Sequence, residues 1–263
     1  MDNLKSETFN WEVPVESVPL PSKGLIYKED SWFHMKEMID IKSMTANEED
    51  ILASQAYMKR GVTIDELIKS CIMNKSANIK ELLIGDKNAL AMAIRITGYG
   101  SSYPCEVYCV HCQHKNNKTF DLSSLPIKSL GAEPVQSGTN EFSYTLPVSK
   151  KVVNFKMLTI QDASDIQQNM SSKKSLLGEM SIGTITASLE SQVTSIDGVS
   201  EKSKIRKFIS IMPAFDSRSL RAYMKKIQPG IDMNVKFECD NCNASNQAIL
   251  PINANFFWPP ATV

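Results

Sequence analysis

Two stretches far apart in the chain constrain it most: Cys109-Val-His-Cys112 and Cys239-Asp-Asn-Cys242. Each follows a short strand-like run, Glu106-Val-Tyr in the first case and Val235-Lys-Phe-Glu in the second. Each is followed by a polar turn and a second apolar run, Thr119-Phe-Asp-Leu and Gln247-Ala-Ile-Leu. Strand, C-x-x-C turn, strand is the form of a zinc knuckle, which grips a tetrahedral ion with two thiolates and needs a second such turn for the other two. The pattern predicts one structural zinc ion held by Cys109, Cys112, Cys239 and Cys242. With four protein thiolates, no coordination position is left for a catalytic water.

Other readings of the cysteines stand beside this one. A redox C-x-x-C normally opens a helix, whose N-terminal dipole lowers the thiol pKa; Gln113-His-Lys-Asn-Asn and Asn243-Ala-Ser-Asn-Gln read as turns instead. Separate metals would use His111, His114 or Cys105 at the first pair and leave the second two ligands short. A disulfide framework belongs to small secreted domains, and no signal peptide is legible here. Thiols without metal are the remaining reading. Cys71, in an apolar helical run, and Cys105 read as core residues, and His111 and His114 as solvated turn residues.

At 263 residues and 42% hydrophobic content the chain can build a proper core. Lys+Arg and Asp+Glu both total 29, so no basic excess advertises nucleic acid. No apolar run approaches the roughly 20 residues of a membrane helix. Thiolates that bind metal imply a reducing compartment.

Residues 1–35 read as an extended N-terminal arm, with Phe9, Trp11, Val13, Val15, Val18 and Leu20 alternating with polar residues and Pro14, Pro19 and Pro21 interrupting any ladder. A first unit spans 36–130. It opens with the strand Ile39-Asp-Ile41, and Thr45-Ala-Asn-Glu48 matches a capping box. Thr63-Ile-Asp-Glu66 predicts a second box, Asn78 to Leu83 a short helical turn, and Asp86 the cap of a helix that ends at Gly98 and Gly100.

The pattern then returns over 131–263. Val152-Val-Asn-Phe155 matches the first strand, and Thr159-Ile-Gln-Asp162 lies 114 residues after the first capping box. Asp216 lies 130 residues after Asp86, and Cys239 and Cys242 keep that offset from Cys109 and Cys112. The extra 16 residues of the second unit fall near 183–200, where Val193 to Val199 predicts a hairpin around Asp197-Gly198. The fold class expected is therefore α+β: two tandem pseudo-repeats of strand, helices and β-hairpin zinc knuckle, joined at a four-cysteine zinc site. Phe256, Phe257 and Trp258 stand in the C-terminal tail. They, with Phe9 and Trp11, either plug a groove of the same chain or anchor a partner.

The order of motifs resembles a known family. Leu20-Pro-Ser-Lys-Gly24, Ile41-Lys-Ser-Met-Thr45, the two knuckles, Ser195-Ile-Asp-Gly-Val199, Met212-Pro-Ala-Phe-Asp-Ser-Arg-Ser-Leu220 and Phe256-Phe-Trp-Pro259 together look like the baseplate (hub) proteins of T4-like contractile-tailed bacteriophages. That resemblance implies a non-enzymatic part of a phage tail baseplate or its hub assembly. Its partners would be other phage baseplate or hub proteins, with no small-molecule substrate and no membrane, and its place the virion tail after assembly in the host cytoplasm. Many such knuckles carry Gly after the second cysteine, where this chain has Gln113 and Asn243. No catalytic constellation is legible around His34, His111 or His114. The alternative is a zinc-ribbon nucleic-acid-binding accessory protein, for which Lys115, Lys118, Lys202, Lys204, Arg206, Lys207, Arg218, Arg221, Lys225 and Lys226 supply local basic density.

Overall fold

Alternation and helical spacing build a mixed α+β chain from small sheets and short helices, and the computed structural model describes residues 13–177 and 184–258. The first sheet pairs β1 (Val15–Pro19) antiparallel with β2 (Met38–Lys42), where Ile39 and Ile41 point inward and Met38 and Asp40 outward. Three short helices follow, α1 (Ala46–Ala53), α2 (Gln55–Arg60) and α3 (Thr63–Cys71). Leu67, Ile68 and Cys71 are the buried apolar stripe of α3. A 3-10 turn at Ile79–Glu81 leads into α4 (Ile84–Tyr99), which Gly100 ends at a positive φ of 82°. The hairpin β3 (Ser102–Tyr108) and β4 (Lys115–Asp121) carries the first C-x-x-C turn, and β5 (Ile127–Lys128) follows.

The second half opens with β6 (Phe142–Thr145) and β7 (Val152–Phe155), joined by β8 (Val193–Ile196) into a three-stranded sheet of order β6-β7-β8. Between β7 and β8 lie α5 (Ile160–Leu177) and α6 (Thr184–Gln192). Then come α7 (Lys202–Ile211), α8 (Ala214–Ile227) and β9 (Gly230–Ile231). The hairpin β10 (Asn234–Glu238) and β11 (Ser245–Ile249) carries the second C-x-x-C turn.

The halves are stitched together by backbone as well as by core. Ile84 N–H donates to Leu158 O at 3.0 Å and Ile160 N–H to Leu82 O at 2.9 Å, while β5 pairs with β9. The start of α4 approaches β9 so closely that a Cβ on Gly85 would meet Pro229 O at 1.8 Å, which explains the glycine. Buried side chains of both halves, from Ile39 and Leu90 to Phe155 and Leu220, form one continuous apolar core.

Several local expectations are corrected. The described part of the proposed arm, residues 13–35, is no arm: β1 pairs with β2, and Leu20, Ile26, Tyr27 and Phe33 are buried in the core. The prolines at 14, 19 and 21 only shorten the strand, and apolar burial does the rest. Thr63 is the first residue of α3, after Val62 at the cap, so the second capping box does not form, and the buried Thr63 Oγ1 has no hydrogen-bond partner among the described residues. Asp86 and Asp216 stand in the first turns of α4 and α8 without capping them. Each carboxylate instead takes amides from a distant loop: Ser22 N–H at 3.0 Å for Asp86, Val148 and Ser149 N–H at 2.7 and 2.9 Å for Asp216. Burial raises the Asp86 pKa, against the hydrogen bonds donated by Ser22 and Tyr27. Finally, Asp197 and Gly198 do form a positive-φ turn, yet β8 pairs with β7 and meets the returning chain in a single bridge, Ile196 to Val199.

The first capping box is present and heavily loaded. Glu48 is buried and accepts from Thr45 N–H at 2.9 Å, Thr45 Oγ1–H at 2.6 Å, Ser70 Oγ–H at 2.5 Å and Lys42 Nζ at 2.6 Å. Burial alone would raise its pKa, but the bonds from Lys42, Ser70 and Thr45 win and hold it at about 2, against an ordinary 4.5. A depressed carboxylate contributes stability above its unfolded pKa and loses it as pH falls toward the folded one. Between pH 4.5 and 2 this group is expected to withdraw about 3 kcal/mol of stability. Urea melts across that window should show Glu48→Gln less stable than the parent at pH 7 and nearly equal to it near pH 2.

Candidate metal centre

The two knuckles are built alike. In β3–β4 the last strand pair is Tyr108 with Lys115, and in β10–β11 it is Glu238 with Ser245. Cys109 N–H donates to His114 O at 3.0 Å and Gln113 N–H to Cys109 O at 3.0 Å; Cys239 and Asn243 repeat this with Ala244 O at 3.1 Å and Cys239 O at 2.9 Å. The turn closes only if the residue after the second cysteine adopts a left-handed backbone. Gln113 and Asn243 both do so, at φ 58° and 54°, in the position where glycine would be least strained.

The four thiols converge across the gap between the hairpins. Cys109 Sγ lies 3.6 Å from Cys242 Sγ, and Cys112 Sγ lies 3.6 Å from Cys239 Sγ. All four sulfurs lie within 4.8 Å of one another, so the cluster could hold a metal ion. These spacings far exceed a disulfide bond of about 2 Å. They are close to the edge of about 3.8 Å expected for a tetrahedron with metal–sulfur bonds of about 2.3 Å. The donor set therefore fits a tetrahedral, thiophilic ion such as zinc or iron. Cys109 and Cys239 are buried while Cys112 and Cys242 face outward.

Electrostatics favour the same use. Burial opposes ionisation of Cys109, but the amides of Cys112 and His111, aided by neighbouring thiols, pull it down to about 6. Cys239 is likewise lowered, with the amides of Cys242 and Asn241 outweighing burial. Cys242 has the Ala244 amide to lower it, yet the adjoining Cys112, Cys109 and Cys239 sulfurs push it up to about 12. Four negative sulfurs at this spacing repel strongly, and a divalent cation at their centre removes that repulsion.

Two residues that the sequence reading did not single out lock the hairpins together. Asn116 and Asn246 are buried polar side chains, one on each knuckle and 130 residues apart. Asn116 Oδ1 accepts from Asp240 N–H at 2.7 Å, and Asn246 Oδ1 accepts from Val110 N–H at 2.9 Å. Each also donates to its own turn, at His114 O and Ala244 O respectively. The one signal available was an asparagine at the same place in both hairpins. Asn116→Ala removes the side chain that accepts from the Asp240 amide and should cost about 0.5–1.5 kcal/mol. Removing both asparagines should be worse and should speed metal loss to a chelator, measured by the absorbance of a metal indicator.

The other expected site residues separate. Phe9 and Trp11 lie outside the described residues. Phe256 and Phe257, expected as partner contacts, are instead fully buried in this chain's own core. Phe256 packs on Tyr103 with centroids 5.1 Å apart and on Phe257 at 5.3 Å, edge to face. The buried Arg95 holds this end down, donating from Nε to Phe256 O at 3.0 Å, from Nη1 to Gly100 O at 2.8 Å and from Nη2 to Ser102 O at 3.3 Å. The cost of burying its charge is moderated by the C-terminal end of α4. Trp258 is 41% exposed and lies over a cleft of about 420 Å³ on β3–β4, lined by Cys105 and Lys118 among others. His111 and His114 are exposed, and Cys71 is buried with its thiol pKa pushed up to about 12 by burial and by Glu48.

The family model described as T4 bacteriophage base plate protein matches residues 21–258 of the chain. The chain belongs to this family. No curated protein and no solved structure matches it. Membership makes the chain a structural part of the phage tail baseplate rather than an enzyme, with other phage baseplate proteins as its partners and the virion tail as its place. Among the described residues of this baseplate protein no helix is long and apolar enough to cross a membrane.

Proposed function

We propose that this baseplate protein serves at the hub of a contractile tail, in the finished particle or in an assembly intermediate formed in the host cytoplasm, and that it uses one zinc ion as a structural clasp. The ion is held by Cys109, Cys112, Cys239 and Cys242, and the observation that carries this reading is their convergence within 4.8 Å from hairpins 130 residues apart. Zinc is redox-inert, suits four thiolates and has no open position there for a substrate. Metal analysis of the purified chain should return one zinc per chain. No metal, or two ions per chain, would overturn the clasp.

The clasp joins two copies of one unit in this proposal. Support comes from paired details that share an offset. Thr159 N–H and Oγ1–H bond Asp162, and Lys156 pairs with it, as Thr45 and Lys42 do with Glu48 114 residues earlier. Asp86 and Asp216, Asn116 and Asn246, and the four cysteines share the offset of 130. Leu20-Pro-Ser22 and Leu146-Pro-Val148 both deliver an amide to the matching aspartate, so the first copy starts at β1 and absorbs the described part of the supposed arm. The first copy then runs to about residue 130 and the second over 131–263.

Of the terminal aromatics, Trp258 keeps a partner-binding role in this reading, and Phe9 and Trp11 are proposed with it. Mass mapping of purified tails decides whether the chain stays in the particle. Trp258→Ala should leave folding unchanged and lower incorporation into tails.

A further inference from the structure

The outward face of α8 is exposed. Its inward stripe is Leu220, Met224 and Ile227. The opposite face presents Phe215, Arg218, Arg221, Lys225 and Lys226, spaced by three, three, four and one residues along about 16 Å of helix. Phe215 is 61% exposed, and Ile211 just before the helix is 72% exposed. The protein as a whole is neutral, and some of its cations are settled internally, as Lys42 on Glu48, Lys87 on Asp65, Lys118 on Asp240 and Lys156 on Asp162 show. Among the described residues the four cations of α8 take part in no ion pair. The one acid in the stretch from Lys202 to Lys226 is Asp216, and its buried carboxylate is turned inward to the amides of Val148 and Ser149.

We infer that this face of α8, with Ile211 and Phe215 at its N-terminal end, docks an acidic surface of another baseplate protein that offers an apolar recess for the two side chains. The inference rests on the structural baseplate reading and adds to it the location and the chemistry of one contact. Arg221 Nε donates to Ser217 O at 3.2 Å, and the four exposed cations otherwise form a locally positive surface, whose desolvation in a contact is offset by carboxylates that a partner brings close. Phosphates of nucleic acid would satisfy the charge alone. They give no account of two large apolar side chains exposed beside it, which an interface would use as anchors. A protein surface satisfies both.

The test places a photoreactive p-benzoylphenylalanine at position 215 of the tagged full-length chain in phage-infected cells. After irradiation the chain is recovered through its tag and the joined peptide is identified by mass. The expected bond is to an Asp/Glu-rich peptide of a different baseplate protein. Its yield should fall at least tenfold when Arg218, Arg221, Lys225 and Lys226 are all replaced by Gln, with metal content and melting unchanged. If that fourfold variant melts early, the pair Arg218→Gln and Lys225→Gln takes its place. Bonds chiefly to DNA, to a peptide without acidic residues or to nothing, or a yield indifferent to the Gln changes, would each overturn the inference. Whether the chain is found in purified tails is read separately, so the baseplate reading and this contact can fail independently.

Discussion

Replacing Cys239 with Ser is expected to strip the metal from the purified chain and lower its melting temperature by roughly 10 °C or more. The thiol is buried and faces Cys112 at 3.6 Å across the gap between the two hairpins. Three thiolates hold a tetrahedral ion far less firmly than four. Apparent zinc affinities of such sites, about 10–16 kcal/mol in small peptides, are of the size of a whole domain's net stability. In the proposed clasp, part of that energy would go into holding the two hairpins together. A chelator added to the parent should therefore reproduce the variant's melting curve. Cys105→Ser is the matched control, since that thiol lies on β3 outside the cluster and should leave the metal in place. Unchanged melting in Cys239→Ser would mean that the hairpins are held by Asn116, Asn246 and the core alone.

The second large effect is expected at the other end of the chain. Phe256→Ala and Phe257→Ala should each destabilise the fold by about 3–5 kcal/mol, because both rings are fully buried and truncation leaves cavities. The two rings touch each other, so the double variant should cost something other than the sum. Deleting residues 255–263 removes both rings and also the Phe256 carbonyl that accepts from Arg95. A buried guanidinium that loses a partner adds to the loss. Such a chain is expected to unfold or fail to accumulate, and denaturant melts read the single variants. If the deletion variant instead stays folded, the terminal rings are not part of the core that holds α4 and β3 together.

Cys109-Val-His-Cys112 and Cys239-Asp-Asn-Cys242 were legible because everything that makes a knuckle lies within about twenty residues: a strand, a pair of thiols, a turn and a strand. The same locality made the Thr45–Glu48 box readable, and the common offset of 130 announced that the two cysteine pairs belong together. Identical local patterns nonetheless went different ways. Thr45 with Glu48 formed a box because Lys42 and Ser70 gather on the same carboxylate, whereas Thr63 became the first residue of α3, after Val62 at the cap. Asp86 read as a cap because its true donor, Ser22, is 64 residues away.

Asn116 and Asn246 were invisible as cross-braces for the same reason, their backbone partners lying 124 and 136 residues off in the opposite hairpin. The destination of the terminal aromatics was likewise decided in three dimensions. Their hydrophobicity demanded burial, but only the placement of Tyr103, Arg95 and α4 turned Phe256 and Phe257 inward and left Trp258 at the surface. The sequence by itself determined which groups can ligate, cap or bury, because those are properties of a side chain and its near neighbours. The tertiary structure alone decided with whom they do it, since hydrogen bonds and apolar contacts act over a few ångströms and the chain brings those partners from 64 to more than a hundred residues away.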